Sequence, residues 1–194
     1  CMIDYNFYYS GPLLFQTTVK KEDLKKVKAI CKKEISHRER LAGLIQEEFT
    51  INEFKFAEIM QEYLVSFNEA QKNWYQNPDI ILKPQAAWVN FMKKGECNPI
   101  HTHSNCDFSC VLFLEVPKGL KKEREKTIST GSKPGDLIFT FGAAAPLYIC
   151  EKFFYPNVGD FFIFPWSLKH SVNSFQSKGV RTSVSCNFCI MNDC

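Results

Sequence analysis

The run Gly159–Phe175, GDFFIFPWSLKHSVNSF, carries the reading of the fold. Gly159 and Pro165 bracket a hydrophobic, aromatic strand, and a histidine, His170, follows the next turn. Outward from this run the same texture repeats. From about residue 80 short β-rich segments follow one another: AAWVNFM, FSCVLFLEV, KTIST, DLIFTF, PLYICEKFFY, DFFIFP and RTSVSCNFCI. Turn material separates them, as in KKGECNP, VPKGLKKE, TGSKPG, YPNVG and QSKG. Many short strands at near-regular spacing predict a sandwich or a closed antiparallel barrel.

The first third reads differently. KKEDLKKVKAICKKEI sets Leu24, Val27, Ile30 and Cys31 on one helical stripe with lysines around it. FKFAEIMQEYLVSFNEAQKN sets Phe56, Ile59, Met60, Tyr63, Leu64 and Phe67 at helical spacing, a core stripe. Between them ISHRERLAGLIQEEFTI has room for a short helix. No repeat or linker divides the chain. The expectation is therefore one domain over residues 1–194, with mainly helical support over 1–78 and a β core over 79–192.

Composition excludes several classes. With 194 residues, 45% hydrophobic and 23% charged, the chain is ordinary for a globular domain. A net charge of +3 without a basic, aromatic-interleaved stripe gives no case for nucleic acid. No apolar run approaches the ~20 residues that span a bilayer. No leader pattern is visible, and nine scattered cysteines, an odd number, fit reduced thiols. Both point to a cytoplasmic setting. Cys186 and Cys189 form a lone CxxC inside a strand-like run, where that spacing puts them on opposite faces. Packing explains them better than zinc.

The chemistry lies in NPIHTHSNCDFSC, Asn98–Cys110. In a strand, residues i and i+2 share a face, so His101 and His103 present two imidazoles to one point. In a rolled β fold a late strand can lie beside an early one, which lets His170 complete a facial three-ligand set. His37, among charges in the helical region, reads as a surface residue. Beyond His170, Arg181, Ser183, Ser185 and Asn187 alternate onto one strand face, and Val184, Cys186 and Phe188 onto the other. A buried guanidinium is costly unless paired, and a carboxylate held bidentately is its best partner. A small dicarboxylate ligand would supply one.

Taken together, residues 80–190 resemble the iron(II)- and 2-oxoglutarate-dependent oxygenases. The likeness is to those often phage-encoded and often labelled prolyl hydroxylase-like. It rests on WVNFMKKGECNPIHTHSNCDFSCVLFLEVP, GDLIFTF, GDFFIFPWSLKHSVNSF and, most specifically, His170 followed after ten residues by Arg181-x-Ser183. The resemblance implies a double-stranded β-helix with flanking helices. It implies iron(II), 2-oxoglutarate and O2, hydroxylation of a small-molecule or peptide substrate, and release of succinate and CO2. If phage-encoded, the protein would work in the host cytoplasm. His170 would ligate iron, while Arg181 and Ser183, with Asn187 farther along the same face, would bind the cosubstrate. The chain departs from the usual His-x-Asp or His-x-Glu: His103 stands two after His101, so the first half of the set is His101, His103, Asp107 or some of these.

Two other readings compete. Gly95, His101-x-His103 and Asp107, then Gly159, Pro165, His170 and Asn173, nearly reproduce the two cupin motifs, which would mean a metal site without 2-oxoglutarate. A jelly-roll binding or structural domain would need no metal. Arg181-x-Ser183 argues against the first, and three spaced histidines against the second.

Overall fold

The computed structural model describes residues 11–40, 43–76, 79–145 and 148–191. In chain order these form β1 (Phe15–Thr18), α1 (Lys21–Ile30), β2 (Glu48–Ile51), α2 (Glu53–Ile59), α3 (Gln61–Tyr75), β3 (Ile81–Met92) and β4 (Asn98–His101). There follow β5 (Phe108–Glu115), α4 (Leu120–Lys126), β6 (Leu137–Thr140), β7 (Glu151–Phe154), β8 (Asp160–Pro165), β9 (Lys169–Val172) and β10 (Arg181–Met191).

Among the described residues ten strands make two antiparallel sheets. One has the order β1-β8-β5-β10-β3-β2 and the other β4-β9-β6-β7. Val111, Phe113, Phe162 and Phe164 of the larger sheet pack against Leu137, Phe139 and Val172 of the smaller. On the larger sheet's other face, Leu24, Val27, Phe56, Met60, Tyr63 and Phe67 of the helical segments cover Val89, Leu112, Phe161, Ile163, Val184 and Phe188. The six-stranded sheet is thus buried on both sides. That is why its strands read as continuous apolar runs rather than alternating ones. Each fully buried Phe contributes about 1.5–3 kcal/mol. The architecture is the expected double-stranded β-helix, built as two open sheets face to face rather than a closed barrel.

Several local expectations change. The long apolar stripe over 54–73 is two helices, because Met60 takes φ −91°, ψ 6° between α2 and α3 and is wholly buried. Asn52 caps α2 by accepting a hydrogen bond from the Lys55 N–H at 2.8 Å. The N-terminal part also supplies strands, since β1 and β2 form the two edges of the larger sheet. Residues 127–130 form no strand, and Ile128 is fully exposed, with no apolar partner to hold one. Helix α4 precedes it instead, fixed by Arg124, which bonds Asp136 and the Pro134 carbonyl. The strand expected over 146–155 begins at Glu151, and Pro146–Leu147 lie outside the described residues. The short strands β4 and β9, four residues each, have too little alternation to be read from sequence. No helix among the described residues is long and apolar enough to cross a membrane. All seven cysteines among them are free thiols.

Candidate metal and cosubstrate site

Strands β4 and β9 pair so that His101 and His170 are register partners, with ring centroids 4.2 Å apart. His103 lies two residues past the end of β4. Its backbone N–H donates to the Trp166 carbonyl at 3.0 Å, at the turn after β8. This places His103 Nε2 3.2 Å from His170 Nε2. The three histidines offer one ring nitrogen each, all within 4.8 Å of one another.

The tautomers are largely set. His101 Nδ1 is 2.7 Å from the Pro99 carbonyl and His170 Nδ1 is 2.9 Å from the Leu168 carbonyl. A carbonyl only accepts, so the proton sits on Nδ1 and Nε2 presents its lone pair to the cluster. Burial lowers all three values. His103 falls to about 4, mainly through burial and then through His101; His170 falls well below its ordinary value, and His101 falls despite the Pro99 contact. Three neutral imidazoles converging on one point are a donor set for a divalent transition metal.

Asp107 is not part of this cluster. Its carboxylate accepts the Ile190 N–H at 2.7 Å, and its backbone bonds Phe188 and Trp166, tying the start of β5 to the end of β10. The sequence spacing that made it a candidate is spent on a strand junction. Cys186 is buried against the helices, and Cys189 approaches the Asn105 carbonyl, so the CxxC forms no metal cluster among the described residues.

The histidines open onto a cavity of about 400 Å³ between the sheets. Its opposite wall is the alternating face of β10: Arg181, Ser183, Ser185 and Asn187 all line it. Arg181 is 3% exposed, and neither Nε nor Nη1 has a hydrogen-bond partner. Its guanidinium lies over the Phe113 ring, 4.8 Å from the centroid, and burial pulls its pKa down to about 9. Five of the six buried side-chain polar atoms without a partner among the described residues belong to this cavity's lining: Asn90, Asn98, Arg181 twice and Asn187. Folded proteins pair such groups, so their concentration around one cavity points to a ligand.

Register explains further lining residues that the sequence did not single out. Ser183 lies opposite Asn90, and Asn90 opposite Glu48, making one polar row across three strands. Glu48 is 2% exposed, 3.5 Å from Arg38, and burial pushes its carboxyl up to about 7 against the pull of Arg38. Ser185 lies opposite Trp88. His37, expected at the surface, stacks on Trp88 with centroids 5.4 Å apart and lines the cavity. In AAWVNFM the i, i+2 pair Trp88 and Asn90 was the available signal, but only the strand register says which face looks inward.

The sequence comparison agrees with this geometry. A family profile described as "Putative 2OG-Fe(II) oxygenase" matches residues 86–187, just over half the chain. No curated protein matches. Many solved structures share the fold, among them the following three. A Pseudomonas putida prolyl-4-hydroxylase is 16% identical, with 92% of this chain and 93% of that one covered at a TM-score of 0.55. A viral collagen prolyl hydroxylase from Paramecium bursaria Chlorella virus-1, solved with 2-oxoglutarate, is 11% identical, covering 90% and 94% at 0.57. A Trichoplax adhaerens prolyl hydroxylase in complex with a peptide fragment of hypoxia inducible factor is 10% identical, covering 92% and 83% at 0.58. The matched segment begins on the inner face of β3 and ends at Asn187, so it spans the three histidines and the polar face of β10. The chain belongs to the iron(II)- and 2-oxoglutarate-dependent oxygenases.

Proposed function

We propose that this oxygenase hydroxylates a peptidyl substrate, in the leading reading at proline, and releases succinate and CO2. The observation that carries the reading is a buried, unpartnered Arg181 in the same cavity as three converging histidines. The prolyl hydroxylases among the fold's relatives support the substrate class. Free thiols fit a reducing, cytoplasmic setting.

His101, His103 and His170 would hold iron(II) through Nε2, with no protein carboxylate in the set. Bound there with 2-oxoglutarate and O2, the metal supplies the oxidation; the protein supplies placement and dryness. Arg181 holds the distal carboxylate of 2-oxoglutarate, which gives the guanidinium the anion that its burial demands. Ser183, two residues along the same face and so ~7 Å away along the strand, donates to the same carboxylate. Asn187 is six residues from Arg181, ~20 Å along β10, which is longer than a five-carbon diacid. Its amide therefore serves the far end of the cavity rather than the carboxylate anchored by Arg181. Phe164, Leu137 and Val172 exclude water from the space between.

The test is turnover. Protein reconstituted with iron(II) should form succinate from 2-oxoglutarate, stoichiometric with O2 uptake, and a proline-containing peptide should stimulate it and gain one oxygen by mass. Stimulation only by non-peptide molecules would overturn the substrate class. Absence of succinate formation with every substrate offered would overturn the reaction.

A further inference from the structure

The geometry points to Trp88, backed by His37, as the positioning residue for His103. This rests on the three-histidine reading above.

The three histidines are not held alike. His101 and His170 each give their Nδ1 proton to a backbone carbonyl two residues earlier in the chain. Such a contact fixes ring orientation in a metal ligand. No acceptor meets Nδ1 of His103 among the described residues, although its main chain is anchored to Trp166. What surrounds its ring is aromatic. Trp88 lies 5.9 Å away at 40°, Phe164 6.3 Å away at 49°, and His170 5.0 Å away at 12°. These are separations at which ring pairs interact and restrict one another.

Trp88 is itself restrained. It is 5% exposed on the inner face of β3, and His37 stacks on it nearly parallel, at 16°. His37 is fixed in turn by Nδ1 at 3.1 Å from Thr50 Oγ1, and Thr50 is the register partner of Trp88 on β2. The order Thr50, His37, Trp88, His103 is therefore one packed line from the edge of the larger sheet to the metal cluster. It substitutes packing for the missing hydrogen bond. It also explains why a histidine among charges in the N-terminal segment sits inside the cavity at all.

Cobalt(II) binding to the full chain, followed by its visible ligand-field bands and by competition titration, tests this without turnover. Wild-type protein should bind one ion, and His103→Ala should bind weakly with a changed spectrum. Trp88→Ala should weaken binding about 10–100-fold, the usual cost of losing a group that orients a ligand, and shift the bands toward those of His103→Ala. Trp88→Phe should recover most of the affinity, and His37→Ala should move both readouts in the same direction by less. Val89→Ala is the control. Val89 is next in sequence, wholly buried, but on the helix-covered face. It should lower Tm and leave cobalt affinity and spectrum unchanged. If Trp88→Ala does not fold, the contrast of His37→Ala with Trp88→Phe decides. Wild-type affinity and spectrum in Trp88→Ala and His37→Ala, or equal weakening in Val89→Ala, would overturn the positioning role. A wild-type protein that binds no cobalt would overturn the three-histidine site itself, and this role with it.

Discussion

Strands β8 and β10 flank β5 in the same sheet, and both are buried on two faces. Their helix-side faces are alike: Phe161 and Ile163 on one, Val184, Cys186 and Phe188 on the other. Their inner faces are opposites. On β8 Phe162 and Phe164 fill the space between the sheets, whereas on β10 Arg181, Ser183, Ser185 and Asn187 line a cavity. Equal burial with unequal chemistry sets a strand whose inner face is satisfied by packing beside one whose inner polar groups are left without protein partners among the described residues. Phe162 is complete without a ligand; Arg181 is not.

That contrast can be broken by substitution. Phe162→Ala should have the largest effect on stability, about 3–5 kcal/mol by chemical denaturation, because it empties a fully enclosed position. Arg181→Met should do the reverse. Ligand-free stability should stay level or rise, since an unpaired buried charge is replaced by an apolar chain of similar length. Its 2-oxoglutarate affinity should fall by about 2–5 kcal/mol in a calorimetric titration. If Arg181→Met destabilised the ligand-free protein as much as Phe162→Ala, the inner face of β10 would be ordinary core.

Glu48 sharpens the comparison through pH. Its folded value near 7 lies above the ordinary 4.5, so the folded state holds the proton more tightly than the unfolded chain. That contribution is complete below about 4.5 and is lost as pH rises through about 7, by up to about 3 kcal/mol. Denaturation midpoints measured across this window should fall with pH, and Glu48→Gln should flatten the slope. Ser183→Ala should have the smallest effect, about 1 kcal/mol of 2-oxoglutarate affinity with stability unchanged, because the hydrogen bond its hydroxyl accepts from Asn90, at 3.5 Å, is long.

Much of this was legible in the sequence. Period-two alternation put Arg181, Ser183, Ser185 and Asn187 on one face, and GDFFIFP marked a strand whose residues all turn out buried or nearly so. His101, His103 and His170 were visible as a candidate set. What sequence could not show was register. Asp107 stood at a plausible spacing, yet the junction of β5 with β10 takes its carboxylate. His37 stood among charges, yet its bridge segment pairs with β2 and carries the ring onto Trp88. Glu48 and Asn90 looked unremarkable because their shared row exists only once β2 and β3 are aligned. Local periodicity reports faces, while long-range pairing decides which faces meet.

The central claim is that one cavity holds a metal at His101, His103 and His170 and a dicarboxylate at Arg181. An anaerobic titration of 2-oxoglutarate into the iron(II)-loaded protein, read by visible absorption, tests it most directly. The account predicts a new absorption band that saturates at one cosubstrate per chain, vanishes in His170→Ala, and needs far higher 2-oxoglutarate in Arg181→Met. Folded, iron-loaded wild-type protein that develops no band, or an Arg181→Met protein that titrates like wild type, would contradict it.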